Sequence, residues 1–153
     1  MATLNVTIKE ELELYGEPHG GTTLKTIESI TKSYRSIVDV TTTASGTNTI
    51  FSLSLSGLGG SSEAYGKVKY LRVSSLDEAG TPVNVTLKIS DASGNVFMVQ
   101  LKPSESFILF SDGVFSESSP FSNTALTLDT LSSIEAYTAS SSTKIEVFTA
   151  STN

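Results

Sequence analysis

Strict alternation between apolar and polar residues is the dominant pattern of this chain. Its clearest instance is residues 82–90 (PVNVTLKIS), where valine, leucine or isoleucine occupies every second position. Because successive side chains of a strand point to opposite faces, a period of two predicts a strand with one buried and one solvated face. We therefore expect Val85 and Leu87 to be buried, and Thr86 and Lys88 to face solvent or a partner.

Similar alternation recurs along most of the sequence. The first strand is expected to run to about residue 9, and the acidic stretch that follows should place Leu12 and Leu14 inward. In residues 67–74 apolar residues fall on both faces, so both faces are expected to be covered. Further strands are predicted at residues 34–43, 50–56, 96–101, 107–110, 133–138 and 144–149.

Clusters of Gly, Pro, Asn, Asp and Ser separate these strands and predict turns or loops at residues 16–21, 57–62, 91–95 and 111–123. Residues 24–33 stay ambiguous, because Leu24, Ile27 and Ile30 have the spacing of a helical turn while the many Ser and Thr argue against a long helix. Eight to ten short strands at this spacing predict an all-β fold. We expect an antiparallel β-sandwich that is jelly-roll-like, with an immunoglobulin-like sandwich as the alternative.

Length and composition limit the possibilities further. A chain of 153 residues predicts one domain, 1–153, with a possible N-terminal arm at 1–14. Its 26 serines and 20 threonines alternate with large apolar residues, so we assign them to the solvent-exposed faces of strands and to the turns between strands. There is no cysteine, which excludes disulfides and thiolate chemistry. The net charge of −6, with scattered Lys and Arg, disfavours nucleic acid and membrane surfaces as partners.

No residue pattern specifies a chemistry. His19 is the single histidine and is expected in a surface loop without a base or ligand partner. Glu11 and Glu13 would share a face of a strand, and paired carboxylates can hydrolyse glycosides, but such neighbours more often form a solvated rim. We therefore expect a protein that is not an enzyme, with no catalytic residue, metal site or cofactor.

Two regions are candidates for contact with a partner. Phe115 and Phe121 lie in a polar loop, where they either tuck back as a lid or touch another molecule. The N-terminal segment 2–14 could add a strand to a neighbour's open sheet. The candidate partner-binding residues are Leu4, Val6, Ile8, Leu12, Leu14, Phe115 and Phe121.

A family resemblance supplies the functional expectation. Residues 134–140 (IEAYTAS) and 144–151 (KIEVFTAS) resemble the terminal hairpin of small virion proteins of tailed bacteriophages, and residues 101–109 (LKPSESFIL) are similar to the strand-turn-strand that accompanies it. This resemblance implies a β-sandwich that decorates or cements a capsid.

The expected protein is thus a homo-oligomeric virion component, made in the host cytoplasm because no signal peptide is visible, whose partner is the major capsid protein or another virion protein. One alternative is a tail or fibre component. The other is a carbohydrate-binding module, which would need a platform of exposed aromatic residues, whereas this chain has no Trp and most of its Tyr lie within strand patterns.

Overall fold

The computed structural model describes residues 2–42, 48–52, 68–76, 82–91, 94–110, 113–114, 129–139 and 141–152. Strands dominate these residues, and none of them is helical, which confirms the all-β prediction. The strands are β1 (Ala2–Leu14), β2 (Glu17–Ile30), β3 (Lys32–Val40), β4 (Asn48–Ser52), β5 (Val68–Ser75), β6 (Val85–Asp91), β7 (Val96–Leu101), β8 (Ser106–Leu109), β9 (Gly113–Val114), β10 (Asp129–Thr138) and β11 (Thr143–Ser151).

Two antiparallel sheets form the body of the molecule. Sheet I has the strand order β3-β11-β5-β8, and sheet II has the order β4-β10-β6-β7, with β9 paired to β10. In the order of the described strands, the chain crosses from one sheet to the other at most connections, and the consecutive strands that pair within a sheet are β6 with β7 and β9 with β10. This order of eight strands is that of a jelly roll, so the topology favours that prediction over the immunoglobulin-like alternative.

The main core lies between the two sheets. Leu87 and Ile89 of β6 are fully buried from the side of sheet II, and Leu71, Val73 and Val147 are fully buried from the side of sheet I. The facing predicted for β6 is confirmed: its residues alternate between buried and half-exposed from end to end, starting with buried Val85.

A second apolar cluster covers one part of the outer face of sheet I. Tyr70 points away from the main core and packs edge-on against Phe110 and Phe148, with ring centroids 5.4 and 5.7 Å apart. Ile27 and Ile30 of β2 complete the cluster. The prediction that both faces of β5 are covered holds at Tyr70, whereas Arg72 and Ser74 on the same outer face are half-exposed. Burial raises the pKa of the Tyr70 phenol above its ordinary value.

Strands β1 and β2 form a long hairpin outside the two sheets. Its two-residue turn is Tyr15-Gly16, and both residues have positive φ (56° and 80°), the backbone of a type I′ turn. The predicted loop at residues 16–21 is wrong beyond Gly16, because β2 starts at Glu17. Gly and Pro are not confined to turns here: Gly20, within β2, has φ +143°, and a Cβ on it would overlap the carbonyl oxygen of Glu10.

The ambiguous residues 24–33 are extended, and a β-bulge explains their misleading spacing. The register shifts by one residue between the pairs Ala2↔Ile30 and Leu4↔Ile27, and Ser29 has φ +61°. This extra residue interrupts the alternation, so Ile27 and Ile30 both face the body although they are three apart.

Two other predictions are wrong. The C-terminal pair β10 and β11 is not a hairpin, since β10 lies in sheet II and β11 in sheet I; β7 and β8 are likewise in different sheets. The predicted buried strand at 107–110 is an edge strand that leaves Ile108 exposed. Some predictions fall outside the described residues. These are the positions of Phe115 and Phe121, the loop at 57–62, and the part of the predicted strand at 50–56 that follows Ser52.

Candidate functional site

The N-terminal hairpin is the strongest candidate for a functional surface, and its base (residues 2–7 and 24–30) is held by the body. Leu4 and Val6 are half-buried and pack against the cluster of Ile27, Ile30 and Tyr70. Directly after β2, the amide of Thr31 donates a hydrogen bond of 3.0 Å to the carbonyl of Ser151 at the end of β11. These contacts fix the base to the outer face of sheet I.

The hairpin tip (residues 8–23) lies beyond these contacts and is largely exposed. Leu12 and Leu14 were expected inward, but their exposed fractions are 58% and 46%, and Tyr15 at the turn is 97% exposed. The expectation was wrong because the alternation of β1 continues past the point where the body ends. Ile8, Leu12 and Leu14 share one face of the ribbon, and only Ile8 is half-buried.

The hairpin tip is also acidic. It carries Glu10, Glu11, Glu13 and Glu17 against one lysine, Lys9, whose Nζ lies 2.5 Å from Oε1 of Glu11. Glu11 and Glu13 are both exposed on the same face of β1, the geometry of a solvated rim. His19 is exposed as predicted, but in β2 opposite Leu12 rather than in a loop.

Both outer edges of the hairpin are open. Among the described residues, β1 pairs only with β2 and β2 only with β1. Unpaired strand edges can accept a strand from another chain. Charged side chains, such as those of the hairpin tip, disfavour pairing of such an edge with strands of arbitrary other proteins. A two-stranded ribbon is marginally stable in water on its own, so the hairpin tip gains most from a partner that packs on it.

The rest of the outer face of sheet I holds an ion cluster that the sequence pattern did not reveal. Arg35 donates to Oε2 of Glu146 through Nε (3.0 Å) and Nη2 (2.6 Å), and Nη2 of Arg72 donates to Oε1 of the same carboxylate. The hydrogen bond from Arg35 is the largest effect that lowers the pKa of Glu146, which burial partly opposes. The three residues meet because β3, β11 and β5 are adjacent, and strand order cannot be read from local alternation.

The outer face of sheet II is different in character. Lys88 and Glu135 form an ion pair of 2.8 Å across β6 and β10, and Met98 on the edge strand β7 is exposed. Within the described ranges, no three His, Asp or Glu side chains are grouped so that they could hold a metal ion. The same part of the chain contains no helix long and apolar enough to cross a membrane.

The structure thus divides the candidate residues. Leu4 and Val6 pack on the chain's own body, Ile8 lies at the boundary, and Leu12 and Leu14 are free to contact another molecule. Tyr15 belongs with the last two, and its position directly before Gly16 is the sequence signal that could have identified it as a turn residue. Comparison with family models, with curated proteins and with solved structures finds no match for this chain.

Proposed function

We propose that this chain is a non-enzymatic structural protein of a virus particle that binds the capsid lattice as a decoration or cement protein. The observation that carries the proposal is the hairpin, whose base is held by the body while its tip exposes Leu12, Leu14 and Tyr15. The jelly roll adds support by analogy, because viral capsid proteins use this architecture, as do lectins and cupins. Fold alone does not fix function, so the argument rests on the hairpin.

The dimensions of the hairpin suit it to reach a neighbouring subunit. A strand rises roughly 3.4 Å per residue, so the stretch from Ile8 to the turn extends about 25 Å. Full burial of a leucine side chain contributes on the order of 1.5–3 kcal/mol, so Leu12 and Leu14 give a contact of modest strength. On a symmetric lattice many such contacts act together, and the resulting avidity exceeds the affinity of any one of them.

The charge of the hairpin tip restricts what it can contact. Glu10 and Glu17 lie on the same face of the hairpin as the exposed leucines and favour an apolar site with a basic rim. Together the four glutamates of the tip repel anionic lipid and nucleic acid. A capsid protein is the partner that we propose on this ground. A tail or fibre component would use the same contact at another place in the particle.

A shortened hairpin tests the proposal. Residues 9–22 are replaced by Asn-Gly, a dipeptide that favours the type I′ turn, while the packed base is kept. We expect the variant to remain folded and to lose co-sedimentation with purified particles of the source virus. Leu12→Asp should weaken binding in the same direction, whereas Leu24→Asp, which alters an equally exposed leucine on the opposite face of the hairpin, should not.

Three other outcomes would change the conclusion. Full occupancy of the particle by the shortened variant would refute the role of the hairpin. Density for the protein on the tail in electron micrographs would favour the tail or fibre alternative. If the intact protein binds no particle but binds a glycan array, the carbohydrate-binding alternative replaces the virion proposal.

A further inference from the structure

The uncovered part of the outer face of sheet I complements the hairpin tip. Strand register places Arg35, Phe148, Arg72 and Ile108 in one row across β3, β11, β5 and β8, and Ile37 lies next to Arg35 along β3. Ile37 is 60% exposed and Ile108 is also exposed. We call these five residues the arginine strip.

The charges of the two surfaces are opposite. Arg35 and Arg72 share the single carboxylate of Glu146, which leaves the cluster with an excess of one positive charge. On the hairpin tip Glu10 and Glu17 share the face of Leu12 and Leu14, whereas the ion pair of Lys9 with Glu11 lies on the opposite face, so the leucine face carries two carboxylates and no lysine or arginine. Two acidic surfaces of this chain, whose net charge is −6, would repel each other. The acidic hairpin tip and the basic arginine strip attract each other instead.

The arginine strip also continues a contact that the molecule already makes. The chain's own hairpin base covers the adjoining part of the same sheet face, because Leu4 and Val6 pack against the cluster that contains Tyr70. The chain's own tip does not extend this cover, because Leu12, Leu14 and Ile37 all remain exposed. A tip from a second copy would bury these residues on both partners.

We propose that the hairpin tip of one copy docks on the arginine strip of a second copy. Leu12 and Leu14 pack beside Ile37 and Phe148, and Glu10 and Glu17, which share the face of these leucines, lie opposite Arg35 and Arg72. This inference rests on the proposed use of the hairpin as an assembly element. The contact is head-to-tail, since two different surfaces meet, so repetition closes a ring or continues as a filament.

Two exposed substitutions test the contact from its two sides. Leu12→Asp alters the hairpin tip and Ile37→Asp alters the arginine strip. The matched controls are Leu24→Asp on the opposite face of the hairpin and Met98→Asp on sheet II, because both side chains are 62% exposed, close to the 58% of Leu12 and the 60% of Ile37. Sedimentation velocity over a range of protein concentrations measures the association, and circular dichroism confirms that each variant is folded.

We expect the intact chain to associate, with an affinity that falls as salt is added. Each of the two test substitutions should weaken association by about tenfold or more, since charge is placed in a desolvated apolar contact. The controls should behave like the intact chain. A mixture of the Leu12→Asp and Ile37→Asp proteins should form a one-to-one dimer, because each supplies the surface that the other lacks.

Several results would overturn the inference. An intact chain that stays monomeric at all concentrations would do so, and so would loss of association in the Met98→Asp control. If Leu12→Asp prevents association while Ile37→Asp does not, two hairpin tips pair with each other instead. A chain that stays monomeric but still binds the particle refutes self-docking and leaves the proposed function standing. A chain that self-associates but binds no particle refutes the proposed function and leaves self-docking standing.

Discussion

Replacement of Leu87 by alanine measures how much the core between the two sheets contributes to the free energy of unfolding of this protein. Leu87 is fully buried in β6, and its backbone neighbours are Ala136 on β10 and Val99 on β7. The change removes three carbon atoms. At about 0.8 kcal/mol for each buried carbon, the lost transfer free energy is roughly 2.4 kcal/mol.

The cavity adds to this cost. Leu87 lies in β6, which is hydrogen-bonded to a strand on each side and cannot easily shift into the space, so the free energy of unfolding should fall by about 3–5 kcal/mol in total. A domain has only about 5–15 kcal/mol of stability, so this is a large fraction of it.

Lys88→Ala is the control in the next position of the same strand. Its side chain faces outward, and it loses the ion pair with Glu135, which is partly exposed and worth less than about 1 kcal/mol. Urea unfolding with a common slope gives both values. Equal shifts of the midpoint for the two variants would show that the facing of β6, and with it the location of the core, has been read incorrectly.

The remaining predictions concern the hairpin, the ion cluster and bound metal. Gly20→Ala should remove hydrogen-exchange protection from the hairpin tip, because its Cβ meets the backbone of Glu10, while Gly21→Ala, whose Cβ meets nothing within 4 Å, should leave the protection intact; similar exchange in both variants would contradict this. Glu146→Gln should lower the free energy of unfolding by about 1–3 kcal/mol at neutral pH. The folded state lowers the pKa of the Glu146 carboxyl below its ordinary 4.5, so the loss of stability in Glu146→Gln should be complete above that pH and should shrink as the pH falls below it. In an Arg35→Ala background this loss should be smaller. A loss that does not change with pH would refute the role of the Glu146 carboxylate in the ion cluster. Addition of a chelator should leave the thermal midpoint unchanged, and a drop of several degrees would reveal a carboxylate site for calcium.

Local alternation was enough to place most of the strands in the described part of the chain. In β6 the burial of each residue follows from the sequence, because a strand between two neighbours in a sandwich has a period of two and no irregularity. The same reasoning failed in β2, where one bulge at Ser29 puts two isoleucines three apart on the same face. A bulge depends on the pairing partner, so it cannot be recognised from one strand alone.

In the candidate site, too, the sequence predicted some features and only the structure showed the others. The sequence indicated that the N-terminal segment alternates and then becomes acidic, and this segment does carry the exposed leucines. It did not indicate that β2 would pair with it, so the segment was expected as an arm rather than as one strand of a hairpin. The expectation that Leu12 and Leu14 face inward failed because an apolar residue at a regular position is buried only if another element lies over it.

The sequence by itself therefore determined the fold class, most strands of the sandwich and the facing of the side chains in β6, since these depend on neighbours two residues apart. Tertiary structure alone decided which strands are adjacent, and with them the jelly-roll order, the meeting of Arg35, Arg72 and Glu146, and the exposure of the hairpin tip. These features join residues as many as 111 positions apart. Their physical cause is the packing of two sheets on one core, in which each strand takes the neighbours that bury the most apolar surface.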